Sequence, residues 1–133
     1  MPDSQQHKSN IDSKLTLSRE KRLRKKLDFL AIKKDGSKYY SEHLIICIKK
    51  SELSYPRIGV IVSKKVSKRA VDRNLIKRRL REIFRLNQHN FEPGDMLLIA
   101  KKNCLNASYA DLSQGLLRSL AKAKVFTPES LKN

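Results

Sequence analysis

Residues 57–101 read RIGVIVSKKVSKRAVDRNLIKRRLREIFRLNQHNFEPGDMLLIAK, and their pattern decides the fold. RIGVIVS (57–63) and DMLLIAK (95–101) are short apolar runs, the first β-branched, and each reads as a strand. Between them, Lys68 to Gln88 carries the strongest periodicity of the chain: Ile76, Leu80, Ile83 and Phe84 fall within about 100° on a 3.6-residue wheel. This predicts a helix over 69–88, about 30 Å long. Glu92-Pro93-Gly94-Asp95 is a turn by its Pro-Gly pair. Strand, helix and strand in that order make a βαβ unit with parallel strands, for which a right-handed crossover is the general expectation.

Working outward, HLIICIK (43–49) is a further strand, joined to 57–63 by a polar stretch containing Tyr55-Pro56 and expected to pair with it antiparallel. Leu23 to Lys34 is rich in helix formers, with Leu23, Leu27 and Leu30 on one apolar edge and Phe29 and Ile32 on another, and Asp35-Gly36 stops it. Ser108-x-x-Asp111 has the form of a capping box opening a last helix, with Tyr109, Leu112, Leu116 and Leu120 on one side. The predicted class is α/β (α+β): a two-layer sandwich, a small central sheet with three helices, in the order α-β-β-α-β-α. Residues 1–16 are too polar to offset their ordering entropy and read as a flexible tail; 17–126 read as one domain and 127–133 as a flexible end.

The chain has 133 residues, with 30 Lys+Arg against 13 Asp+Glu, a formal charge of +17. That length excludes a multi-domain enzyme, and that charge calls for a polyanionic partner. With 39% hydrophobic residues the chain still builds a core, which excludes a disordered basic coat. The charge concentrates in Ser63 to Arg85, where ten cations face only Asp72 and Glu82. On the wheel Asn74, Arg78, Arg81 and Arg85 line one flank, while Arg73 and Lys77 continue the core stripe toward the helix N-terminus. Lys64, Lys65, Lys68 and Arg69 crowd the positive end of the helix dipole. A charge run is ordinarily a solvated helix face. Here its density, its placement against the dipole and the whole-chain charge together point to nucleic-acid phosphates, for which free helix N–H groups and bidentate arginines are suited.

The carboxylates are scattered, and Cys47 and Cys104 lack metal or redox spacing, so no catalytic or metal-ligating residue is expected in the protein. The start lacks a signal-peptide core, and runs such as Leu44 to Ile48 are far too short to span a bilayer, so the expectation is a cytoplasmic chain without a membrane partner.

The string Lys64-Lys65…Ala70-Val71-x-Arg73-Asn74-Leu75-Ile76-Lys77-Arg78-x-Leu80-Arg81-Glu82 closely resembles the signature of the bacterial ribonuclease P protein subunit. Upstream, Arg22-Leu23-x-Lys25, Asp28-Phe29-x-x-Ile32, Arg57-Ile58-Gly59 and Val62-Ser63 resemble that family's first helix and sheet, and Ile99-Ala100-Lys101-Lys102 its last strand. The resemblance covers about residues 18–123. It implies a single RNA-binding domain over 17–126, in a fold whose crossover is left-handed. It further implies the non-catalytic subunit of the endoribonuclease that removes the 5′ leader from precursor tRNA, with chemistry by the RNA subunit and Mg²⁺ bound mainly there. The implied partners are the RNA subunit, one to one, and precursor tRNA. Lys64, Lys65, Lys68, Arg69, Arg73, Asn74, Lys77, Arg78 and Arg81 would contact the RNA subunit. Phe29, Ile32 and Lys33 would face the single-stranded leader in a cleft between the first helix and the sheet, Phe29 offering a ring on which a base can stack.

Three departures stand out. Leu75 stands where the resembling family usually has an arginine, Lys33 and Cys47 where some of its members place aromatics of the cleft, and Ser67-Lys68 where a Gly-Asn pair is common. Read from the residues alone, a structural or ribosomal RNA-binding protein and a DNA-reading domain with an Arg/Asn helix in a major groove stay open, and a membrane-active basic helix is disfavoured by the core-type stripe.

Overall fold

The computed structural model describes residues 19–127. The tail expected over 1–16 and, Thr127 apart, the end expected over 127–133 lie outside the described residues. The helices are α1 (Lys26–Asp35), α2 (Ala70–Asn87) and α3 (Tyr109–Lys122), and the strands are β1 (Ser37–Tyr40), β2 (Leu44–Lys49), β3 (Pro56–Ile61) and β4 (Gly94–Ala100). The sheet order is β1-β2-β4-β3, with β3 and β4 parallel and the other pairs antiparallel.

Two expectations about the sheet change. β2 and β3 do not pair, because β4 lies between them and bonds to both. A fourth strand, β1, precedes β2, so the order is α-β-β-β-α-β-α. The helical reading of residues 23–25 also changes: Leu23 donates its N–H to the carbonyl of Ile58 at 2.7 Å and Arg22 bridges Ile58, so this piece runs extended along β3 before α1 begins.

Helices cover both faces of the sheet, so the arrangement exceeds two layers. On one face α2 contributes Ile76, Leu80, Ile83 and Phe84 and α3 contributes Leu112, Leu116 and Leu120 to a core with Leu44, Ile46, Ile58, Val60, Met96 and Leu98. Each such side chain contributes about 1.5–3 kcal/mol through burial. On the other face α1 covers a small cluster of Leu23, Ile32, Cys47 and Leu97, consistent with a helix that has apolar residues on more than one edge.

The ends of the elements follow local chemistry. Ser108 caps α3, its Oγ accepting from the Asp111 N–H at 3.0 Å. The helix closes with Lys124 N–H on the Ala121 carbonyl and Val125 N–H on the Leu120 carbonyl, the pairing of a Schellman motif, with Lys124 at φ 65 where glycine is usual. This turn brings Phe126 against Phe91, ring centroids 5.4 Å apart. Gly94 opens β4 at φ 151, a conformation that a side chain resists.

Candidate nucleic-acid interface

The segment between β3 and α2 is pinned by Val66, which is buried and whose N–H meets the Ser63 carbonyl at 3.0 Å. Lys64 and Lys65 stand exposed before it, and Lys68 and Arg69 after it. Ser67 organises the helix start: its Oγ accepts from the Arg69 N–H at 3.2 Å and donates to Asp72 Oδ2 at 2.9 Å. Asp72 also lies 3.9 Å from Arg69 Nε, so the first turn holds one acid that suits the dipole. Arg73 donates from Nη1 to the Ser67 carbonyl at 2.8 Å, which accounts for a cation on the core stripe and leaves its other donors unused by that bond.

Along α2, Asn74 and Arg78 are exposed while Arg73, Lys77 and Arg81 are half-buried. Burial first, and the like charge of Arg22 second, lower the Arg81 pKa from its ordinary value. One turn later the character changes. Arg85 bonds Glu82, and that bond holds the Glu82 carboxyl below its usual range. The uncompensated charge therefore concentrates toward the N-terminal end of α2 and its preceding loop, where the sequence placed it.

The opposite face of the sheet is laid out in rows that the strand register defines, each strand about 4.8 Å from the next. One row is Lys49, Asp95 and Arg57, where Arg57 grips Asp95 with two bonds of 2.8 and 2.7 Å. The bond to Asp95 is the first cause of a raised Arg57 pKa. The next row is Lys38, Cys47, Leu97 and Gly59. This row lies under α1: a Cβ at Gly59 would sit 2.5 Å from Phe29 Cε1, so the ring rests on bare backbone. Burial raises the Cys47 thiol pKa, opposed by the charges of Lys38 and Lys33. The last row is Tyr40, Ile45, Ile99 and Ile61. The isoleucines are half-buried and Tyr40 is 67% exposed, so this row is an open apolar track. Lys101 lies over the Tyr40 ring, 5.8 Å from its centroid, and donates to the Ser41 carbonyl at 2.6 Å.

Of the three expected cleft residues, Phe29 is half-buried and Lys33 exposed, but Ile32 is 1% exposed. Ile32 therefore fastens α1 to the sheet and has no face left for a base. Sequence reasoning missed the Tyr40–Ile45–Ile99–Ile61 row, since the cross-strand register alone assembles it. The row lies at the end of β3 that runs on through Val62 and Ser63 into Lys64 and Lys65, so the open track and the cationic loop share one end of the sheet.

Among the described residues no three His, Cys, Asp or Glu side chains gather to hold a metal ion, and no helix is long and apolar enough to cross a membrane.

A family model described as Ribonuclease P matches residues 17–124. The ribonuclease P protein component of Syntrophus aciditrophicus is 40% identical over 104 residues, covering 77% of this chain and 87% of that protein. That of Idiomarina loihiensis is 48% identical over 88 residues, covering 64% and 70%. Among solved structures, the RNase P protein of Staphylococcus aureus aligns with a TM-score of 0.75 at 30% identity, covering 80% of this chain and 98% of that one. The RNase P protein of Thermotoga maritima aligns with a TM-score of 0.70 at 31% identity, covering 76% and 96%.

Proposed function

The chain belongs to the ribonuclease P protein family, and from that premise we propose that it assists a catalytic RNA subunit in endonucleolytic removal of the 5′ leader from precursor tRNA. The observation that carries this reading is the pair of surfaces meeting at one end of the sheet: a cationic loop and helix start beside an open apolar track.

In this reading Lys64, Lys65, Lys68, Arg69, Arg73, Asn74, Lys77, Arg78 and Arg81 bind the RNA subunit, mostly at phosphates, one protein to one RNA. Arg81 supports this assignment, because a phosphate beside it would offset the burial, and after it the like charge of Arg22, that lower its pKa. The leader lies along Phe29, Lys33, Tyr40 and the isoleucine row. Stacking on Phe29 and Tyr40 holds bases without demanding a sequence. Tyr40 supplies a ring in a chain where Lys33 and Cys47 stand at positions that some members of the family fill with aromatics. In this reading Mg²⁺ is bound mainly by the RNA subunit, which supplies the chemistry. The protein's cations lower the repulsion around that metal and the leader. The cytoplasm, where precursor tRNA is made, is the matching compartment.

The test is cleavage of a precursor tRNA at low Mg²⁺ by a bacterial ribonuclease P RNA with and without this protein. Restored leader removal, with no cleavage by protein alone, is expected. RNA binding without rescue would favour a purely structural RNA-binding role, and cleavage by the RNA-free protein would overturn the division of labour.

A further inference from the structure

We infer that the outer groove between α2 and α3 holds one unpaired nucleobase of the RNA partner, lodged against Leu75 and Tyr109 beside Arg78. The inference rests on the RNA-binding reading above and adds a base contact to a helix otherwise assigned to phosphates.

The cations of α2 are interrupted on its outward side. Val71 is 61% exposed and Tyr109, the first residue of α3, is 38% exposed; half-buried Leu75 lies one helical turn beyond Val71. Two hollows of about 570 and 350 Å³ share Leu75 and Arg78 as a common wall, the first reaching Val71 and Asn74, the second reaching Arg79 and Tyr109. Neither acid at the rim compensates the arginines there: Asp72 is engaged by Ser67 and Arg69, and Glu82 by Arg85. Among the described residues Arg78 and Arg79 have no acidic partner.

An apolar and aromatic floor with two uncompensated guanidiniums at its edge matches a base joined to its phosphodiester. The π-face of the base covers Tyr109 and Leu75, and the phosphate meets Arg78. Charge complementarity selects this occupant over a protein helix, which would have to neutralise the same rim. Asn74 supplies an amide that reads a base edge.

The chain contains no tryptophan, so Tyr109→Trp installs a sole reporter in the groove. Titrating this variant with a bacterial ribonuclease P RNA transcript should quench its emission in step with binding, whereas heparin, a polyanion without bases, should not. In parallel, Tyr109→Ser and Leu75→Gln should each weaken binding of that RNA about tenfold without changing the slope of log K against log salt. Tyr109→Phe should bind as the parent does, and Arg78→Ala should reduce the slope by about one. RNA binding with unchanged emission, or Tyr109→Ser with full affinity, overturns the inference while leaving the RNA-binding reading intact. A changed salt slope in Leu75→Gln assigns the groove to phosphate and also overturns it. Failure of the unaltered protein to bind the RNA overturns both.

Discussion

One face of the sheet is finished and the other is not. Under α2 and α3 the strands present Leu44, Ile46, Ile58, Val60, Met96 and Leu98, and two helices seal them. Under α1 a ten-residue helix seals one row and leaves the next row, Tyr40 to Ile61, half open. The difference shows how a small chain separates stability from use. The sealed face supplies most of the burial, so the thin face can leave apolar side chains in contact with water, where they are available to a partner.

Substitutions can break this contrast or sharpen it. Phe84 is fully buried and stacks on Phe91 at 5.2 Å, so Phe84→Ala should destabilise by about 4 kcal/mol in chemical denaturation. A loss under 1 kcal/mol would mean that the face is not the main store of stability. Cys104 is buried on the same face and its thiol is pushed up to about 11 by desolvation from a usual 9.0. Being raised in the fold, it contributes stability that is complete below pH 9 and is lost as pH rises toward 11, on the order of 2 kcal/mol. Cys104→Ala should lack that part of the alkaline slope.

On the thin face, Gly59→Ala drives a methyl into Phe29 and should cost about 2 kcal/mol, while weakening binding of precursor tRNA to the holoenzyme. Lys124→Gly removes a strained left-handed residue from the sealed side and should raise stability by about 1 kcal/mol with leader removal unchanged. Tyr40→Ala should have the smallest thermodynamic effect, under about 0.5 kcal/mol by thermal melting because Tyr40 is exposed, yet it should reduce precursor affinity about tenfold. If Tyr40→Ala instead lowers stability as much as Gly59→Ala does, the open row is structural.

Much of this could be read from residue order. The α2 stripe and the Ser108 cap were legible because periodicity and capping are local, and the cations of Lys64 to Arg81 because charge needs no partner to be seen. β1 was missed: SKYY has only four residues at a sheet edge and too little alternation to register. The pairing of β2 with β3 was misjudged because neighbours in sequence usually neighbour in space, and here the later strand β4 intervenes. Ile32 was misplaced for a related reason. On a helix with two apolar edges, only the docked sheet decides which edge goes under.

The position of β4 also governs how the chain matures. A ribosome releases β2 and β3 before the strand that joins them exists, so β2 has only β1 beside it and β3 has no strand of the sheet to pair with until residue 100 has emerged. Through that interval the most basic stretch of the chain has been made while β3 still lacks its strand partner. Sheet closure is therefore a late event of synthesis, and a central strand of the sheet is the last of the four to be made.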